Sequence, residues 1–501
     1  MAVPLQSVGL RDPISFHPTE RLFMPRAKAG IIRRLQTPTS ALPTPITPGD
    51  PLTEPLSARP LATPLRPSAC PGLLRIVPAL DGGICRIKLP GGVLSAHQAF
   101  AVADAAERFA GGVIEATNRG NLQIRGIGAH HDALIATLLN AGLGPKNPAS
   151  DDVRNLMLSP SASVDPLQLF DARPLAERIL HTLESHPRFH ELSPKFALSL
   201  DAGEGLAMLE HPHDLWLSAL RVEGEVLLGF GLAGCPADDS PIAAVTLDAG
   251  LELVIGVVEL FLEHARPEQT RMRHLLQEMP VARFLDCLSE RLSVPVETDQ
   301  KITTWRRSPS QANAYVGLYP QARPGLTCVG GVVPLGRLDP STLRKVAQLS
   351  LDIGDGELAM TPWQSLMLRN VPTERSAVAL DGLQAAGLLS DAGQALSQMI
   401  ACTGSAACGK GRADTKADAL QLAAYLQNHG VSLPVHLSGC DRSCAAAHVA
   451  PITLLAVSAG RYNLYIRHAD LPGFGELRGR DLTIEAVGAL LTADSRSYTD
   501  D

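Results

Sequence analysis

Val113-Ile-Glu-Ala-Thr-Asn-Arg-Gly-Asn-Leu-Gln-Ile-Arg125 is the stretch on which the fold turns. Its first four residues read as a strand entered from Gly111-Gly112, and Thr117 to Arg125 lead out of it. Upstream, Gly83-Ile-Cys-Arg-Ile-Lys-Leu89 alternates as a half-buried strand does and stops at Pro90-Gly-Gly92. Ser95 then caps a predicted helix of about 15 residues, with Phe100, Ala103, Ala106 and Phe109 on one face.

The same order recurs about 245 residues later. Gly330-Gly-Val-Val-Pro-Leu335 reads as a strand. A helix follows from Asp339-Pro340, where proline occupies the first turn and its missing N–H costs little. Then come Gly354, a strand at Glu357-Leu-Ala-Met360, and Thr361-Pro-Trp-Gln-Ser-Leu-Met-Leu-Arg369. Thr117 aligns with Thr361, Leu122 with Leu366 and Arg125 with Arg369. A strand–helix–strand unit leaves one face or edge to bury, so two copies are expected to pack together as a pseudo-twofold unit.

Between the copies, residues 140–300 alternate strands and helices. Lys195–Leu200, Leu215–Val222 and Glu225–Phe230 read as strands, the last two joined by a tight turn at Glu223-Gly224; Ile242–His264 and Thr270–Ser289 read as helices. After the second copy, Lys416–Asn428 is a predicted helix closed by Gly430, Val431–Leu437 a strand, and Pro451–Val457 with Tyr462–Ile466 a hairpin. The fold class is α+β.

A length of 501 residues suits about three domains, each with its own core. A net charge of −7 argues against a general nucleic-acid binder, which needs clustered Lys and Arg, yet leaves room for a local basic pocket. No run of 18 apolar residues appears, and no apolar signal core precedes a small-residue cleavage site, so a cytoplasmic protein is expected. Residues 1–68 hold 13 of the 39 prolines and are expected to form a disordered leader.

Of nine cysteines, those at 70, 85, 235, 287 and 328 are isolated and read as small buried hydrophobes. The other four form Cys402-Thr-Gly-Ser-Ala-Ala-Cys408 and Cys440-Asp-Arg-Ser-Cys444. Four thiolates suit tetrahedral zinc or an iron–sulfur cube, and unliganded core cysteines remain open. Zinc usually takes tighter pairs. The small residues Gly404 to Ala407 would let backbone N–H groups approach cluster sulfides, which favours a cube.

The paired spacing, with its second half inside His436-Leu-Ser-Gly-Cys-Asp-Arg-Ser-Cys444, resembles the sulfite/nitrite reductase superfamily over about residues 70–470. The resemblance implies two ferredoxin-like half-repeats forming the pseudo-twofold unit, plus two reductase-type α+β domains that bind a cluster and a tetrapyrrole. The expected boundaries are 69–135 and 311–384 for the half-repeats, 136–310 for the first α+β domain and 385–501 for the cluster domain. It also implies a 4Fe–4S cluster on Cys402, Cys408, Cys440 and Cys444. Thr117-Asn-Arg119, Arg154-Asn155 and Lys195-Phe196 match stretches that supply cations around a sirohaem and its anionic substrate. Arg119, Arg125, Arg154 and Lys195 are therefore expected to hold the carboxylates of a tetrapyrrole.

One departure matters. Ala197 stands where the reductases carry a second lysine. That loss, with Cys70-Pro-Gly-Leu-Leu-Arg75 and Asp81-Gly-Gly-Ile-Cys-Arg-Ile-Lys-Leu-Pro-Gly-Gly92, looks closest to the branch serving aerobic cobalamin synthesis. There precorrin-3A is substrate, hydroxylated with dioxygen and closed to a γ-lactone in a monooxygenase-type reaction. NADH is the nominal electron source, and a mononuclear non-haem iron stands beside the cluster. His436 and His448 are the candidates near the cysteines, with core histidine as the plainer reading. Neither Gly330-Gly331 nor Gly354-Asp-Gly356 makes a dinucleotide fingerprint, so a separate reductase is expected to bring the electrons. The alternative is a sirohaem-dependent sulfite or nitrite reductase.

Overall fold

The computed structural model describes residues 70–468 and 471–497, so the Pro-rich stretch 1–68 lies outside the described residues. Strands Val77–Ala79, Gly82–Ile87, Leu122–Ile127 and Val113–Ala116 form one antiparallel sheet. Helix Ala96–Phe109 covers it, burying Ala99, Val102, Ala103 and Ala106. Its start is a full capping box. Ser95 Oγ accepts the Gln98 N–H at 3.2 Å, and Gln98 Oε1 accepts the Ser95 N–H at 3.0 Å. Phe100 and Phe109 are only half-buried at the margin of the core, because small alanines take the closest approach.

The second copy repeats this with strands Gly317–Pro320, Leu326–Val332, Ser365–Pro372 and Glu357–Met360 and helix Pro340–Ile353, capped by Asp339. The expected strand at 330–335 ends at Val332, since Pro334 opens a tight turn. The copies exchange edge strands. Leu94 of Val93–Ser95 pairs with Leu358 of the second copy, and Leu338 of Arg337–Leu338 pairs with Ile114 of the first. Each lent strand follows a left-handed turn, Gly91-Gly92 (φ 60 and 73) or Leu335-Gly336 (φ 49 and 70). A side chain at Gly92 is excluded, because its Cβ would lie 2.1 Å from the Met360 carbonyl oxygen. Both copies share one core that includes Leu94, Ile114, Leu338, Val346, Leu358 and Leu368. Each fully buried aliphatic side chain there contributes about 1.5–3 kcal/mol.

Two further sheets have identical topology. In one, Leu156–Leu158, Leu198–Asp201 and His213–Val222 run parallel, then Glu225–Gly234 and Ala243–Thr246 follow antiparallel. In the other, Met399–Ala401, Val435–Ser438 and Ile452–Ser458 run parallel, then Arg461–Ile466 and Glu476–Leu482 follow antiparallel. The two α+β domains that the family resemblance implied are thus copies of one topology. Ladder register fixes the equivalences: Leu156, Leu198 and Leu215 form one row, and Met399, Val435 and Ile452 form the other.

Several expected elements are corrected. Residues 242–264 are not one helix, because Ala243–Thr246 pairs with Glu225–Gly234 before the helix Gly250–His264 begins. Pro280 splits the helix expected over 270–289 into Met272–Leu275 and Val281–Ser289. The strand expected from Lys195 starts at Leu198, and the one expected from Val431 starts at Val435. The Glu223-Gly224 turn holds, with both residues at positive φ as such a hairpin requires. Among the described residues no helix is long and apolar enough to cross a membrane.

Candidate active site: a cysteine cluster beside a cationic cleft

Met399–Ala401 and Val435–Ser438 are parallel neighbours, so the loops leaving their C-terminal ends emerge side by side. One carries Cys402 and Cys408, the other Cys440 and Cys444. They interlock. The Gly439 N–H donates to Cys402 Sγ at 3.2 Å and the Arg412 N–H to the Gly439 carbonyl at 3.0 Å. A Cβ on Gly439 would meet the Gly404 and Gly411 Cα atoms at 3.4 and 3.2 Å, so a side chain there would push the loops apart by a few tenths of an ångström. Desolvation raises the Cys444 thiol, and Cys440, Cys402 and Cys408 raise it further, which brings all four sulfurs into one electrostatic neighbourhood.

Among the described residues no three His, Cys, Asp or Glu side chains converge as one metal ion requires. Four thiolates serve either tetrahedral zinc or a multi-iron cube, but the wide Cys402–Cys408 loop with its small residues Gly404 to Ala407 suits the cube. The cysteine set therefore fits a cube. For a mononuclear non-haem iron, too, the described residues assemble no ligand set.

The first half-repeat holds the cluster loop. Thr403 Oγ1 donates to Glu115 at 2.9 Å, and Asn118 Nδ2 donates to the Cys444 carbonyl at 3.3 Å. Lys416 donates to the Ala401 and Leu335 carbonyls at 3.2 and 2.5 Å and lies 3.8 Å from Glu115. Burial pushes the Glu115 carboxyl up, but Lys416, Arg125 and Arg337 outweigh it and hold the group below the usual carboxylate range. Glu115 is thus charged at neutral pH and clamps three cations.

Near Cys444 lies a cationic region, the cleft, where desolvated Arg86 and Arg119 repel one another and are only partly offset by Cys70, Cys444 and Asp214. Arg86 and Lys88 stand on one face of strand Gly82–Ile87 and its continuation, opposite the core residues Cys85, Ile87 and Leu89. Burial lowers the Arg86 pKa, partly offset by Cys70 and Cys444. Burial, then Arg86 and Arg271, lowers Arg119 to about 10. Lys88, desolvated and partly restored by Asp151 and Asp152, comes down to about 7. Cations that depress one another in a desolvated site favour an anionic ligand. Buried histidines border this region. His211 and His213 both feel Arg119, and burial together with that charge brings His213 down to about 3.

The four basic residues expected at a ligand are dispersed. Arg119 is in the cleft. Arg125 is a buttress: it donates to both Asp81 oxygens at 2.9 Å and to the Ala407 carbonyl of the cluster loop at 3.3 Å, which corrects its expected ligand role. Arg154 is 2.7 Å from Glu184 and lines a neighbouring cavity of about 350 Å³ with Lys88, Arg173 and Arg369. Lys195 is exposed on the turn before Leu198. Asn155 explains why the two motifs go together, since its Nδ2 donates to the Pro194 and Phe196 carbonyls at 3.0 and 3.1 Å and pins that turn.

The sequence reading missed Arg86, Lys88, Arg271, His211 and His213 as site residues. The available signal was two cations at alternate positions on a strand whose other face is apolar. At the Ala197 position the structure adds a carboxylate: Asp214 Oδ2 accepts the Ala197 N–H at 2.9 Å and Arg271 Nε donates to Asp214 at 2.8 Å.

The description "Nitrite/Sulfite reductase ferredoxin-like half domain" matches residues 78–141 and 319–386, and "Nitrite and sulphite reductase 4Fe-4S domain" matches 149–296. The chain belongs to the nitrite and sulfite reductase superfamily, whose members are oxidoreductases with 4Fe–4S clusters. It is similar to the chloroplastic ferredoxin–nitrite reductase of Zea mays, at 31% identity over 73% of this chain and 68% of that protein. It is also similar to precorrin-3B synthase of Sinorhizobium sp, at 25% identity over 81% of this chain and 84% of that protein. In fold it matches the solved Mycobacterium tuberculosis NirA protein, with TM-score 0.69, 21% identity, and 83% and 80% of the two chains covered.

Proposed function

We propose that the chain is a precorrin-3B synthase, oxidising precorrin-3A with dioxygen by hydroxylation and γ-lactone formation in aerobic cobalamin synthesis. The observation that carries this reading is the Ala197–Asp214 pair. A small oxyanion reduced at the cleft would call for concentrated positive charge, but this position offers a methyl group and a buried carboxylate already engaged by Arg271. The remaining cations, Arg86 and Arg119, suit the peripheral carboxylates of a large tetrapyrrole, which guanidinium groups bind in forked geometry.

On this reading Arg86 and Arg119 orient the substrate. A cluster on Cys402, Cys408, Cys440 and Cys444 supplies electrons when bound. Glu115, Thr403 and Lys416 keep its loop against the cleft. NADH is the ultimate reductant, passing electrons through a separate electron-donor reductase. The protein works in the cytoplasm.

A sirohaem-dependent nitrite or sulfite reductase is the second reading, favoured by the similarity to Zea mays nitrite reductase. Anaerobic purification followed by incubation with precorrin-3A, with and without dioxygen, separates the two. The proposal expects a product heavier by one oxygen only when dioxygen is present. Protein that carries sirohaem and converts nitrite to ammonia would overturn it.

A further inference from the structure

The two α+β domains meet through a pair of histidines at equivalent positions. His211 stands four residues before Leu215 and His448 four before Ile452, the strand residues that the ladder registers make counterparts. Their rings lie 5.2 Å apart, centroid to centroid, with 32° between planes. His448 lines a groove of about 740 Å³ together with Glu210, Asn313, Trp363, Gln398 and Arg467. His211 is sealed behind it at 1% exposure. Beyond His211 come His213, which hydrogen-bonds the His211 backbone, and Arg119 of the cleft.

Both ring nitrogens of His211, and the Nδ1 atoms of His448 and His213, are buried without a hydrogen-bond partner among the described residues. A neutral imidazole has one donor and one acceptor nitrogen, and leaving either unmet in a core costs about 1–3 kcal/mol. Water reaching in from the groove satisfies such atoms at small entropic cost. A row of neutral imidazoles joined by water moves protons, because each ring takes one at one nitrogen and releases one from the other.

We propose that His448 and His211 relay protons from the groove to the cationic cleft. A proton from groove water binds one nitrogen of His448 while the opposite nitrogen releases its own toward His211, which passes one on in the same way. Each ring ends neutral, and the groove water is restored from solvent. At the cleft the proton joins electrons from the donor as an oxygen atom of dioxygen, or of nitrite, leaves as water. The groups facing the relay are Glu210, Arg467 and the buried His436 at His448, with Asp238 3.9 Å from Arg467, and Arg119 and His213 at His211. Glu210 at the mouth favours entry of a proton, and Arg119 at the inner end disfavours its resting there. The inference rests on the cleft being the reacting centre, under either substrate.

The test uses the full chain with its cluster. His448→Gln and His211→Asn are expected to lower turnover at least tenfold, shift the acid limb of the pH profile and enlarge the solvent deuterium effect, with the cluster's electron resonance spectrum unchanged. His448→Gly is expected to regain turnover with added imidazole, which the groove admits, whereas His211→Gly is not. Turnover, pH profile and isotope effect left unchanged by folded His448→Gln would overturn the relay alone. Wild-type protein inactive with both precorrin-3A and nitrite would overturn the relay and the proposed function together.

Discussion

Thr403, inside the cluster loop, donates its hydroxyl to Glu115 of the first half-repeat at 2.9 Å. Through that contact the loop bearing Cys402 and Cys408 is fastened to the strand that also supports Arg125 and, by strand exchange, Arg337. A cluster held by that loop would thereby be registered against the first half-repeat.

Removing the anchor should expose its worth. Glu115→Ala leaves Lys416, Arg125 and Arg337 without their shared counter-charge, and breaking such a buried network costs about 3–5 kcal/mol. Thermal unfolding followed by circular dichroism is expected to shift down by several degrees, with iron and sulfide content reduced. Unchanged melting and full cluster content would remove Glu115 from this role.

The cysteines should divide sharply. Cys440→Ser or Cys444→Ser is expected to abolish cluster and activity together, measured by acid-labile sulfide and turnover. Cys235→Ser is expected to leave both largely intact, because that thiol is buried against Asp238, away from the loops. A complete cluster in Cys444→Ser would mean the ligand set is wrong.

Arg119 and Arg125 should part company despite lying six residues apart in sequence. Arg119→Ala is expected to weaken tetrapyrrole binding about tenfold or more, as loss of a charge-assisted contact does, with the cluster preserved. Arg125→Ala is expected to loosen the cluster loop at Ala407 instead, seen as faster loss of iron to a chelator. Equal affinity in Arg119→Ala and wild type would take Arg119 out of the pocket.

Acid should destabilise the fold through its buried histidines. Burial, with His448 nearby, takes His436 from 6.5 to about 4, and burial with Arg119 takes His213 to about 3. The unfolded chain binds these protons first, so stability is intact above pH 6.5 and falls as pH drops through 6.5 toward 4 and then 3. His436 alone accounts for ~3 kcal/mol across its window. Melting temperature measured from pH 7 to 4 is expected to decline less steeply in His436→Gln than in wild type.

Much of this was legible in the sequence. The Thr117–Arg125 frame and its copy at Thr361–Arg369 gave the half-repeats, because strand period, helix caps and turn glycines are local signals. The edge-strand exchange was not legible, since two- and three-residue strands such as Arg337–Leu338 carry no periodicity of their own. The paired α+β domains were legible only through the family resemblance, and their matching topology not at all, for a related reason. Their equivalence lies in ladder register, while the loops diverged into a cysteine site in one and Ser159, Ser161 and Asp165 hydrogen bonds in the other. At the site, cysteine spacing named its members, but basic residues did not sort themselves. Whether an arginine faces a ligand or a carboxylate depends on partners such as Asp81 and Glu184, both distant in sequence.

The central claim is tested most directly by iron and acid-labile sulfide analysis, with low-temperature electron resonance, on anaerobically purified and reduced chain. About four iron and four sulfide per chain, with the paramagnetic signal of a reduced cube, are expected. One zinc per chain with no acid-labile sulfide would contradict the account.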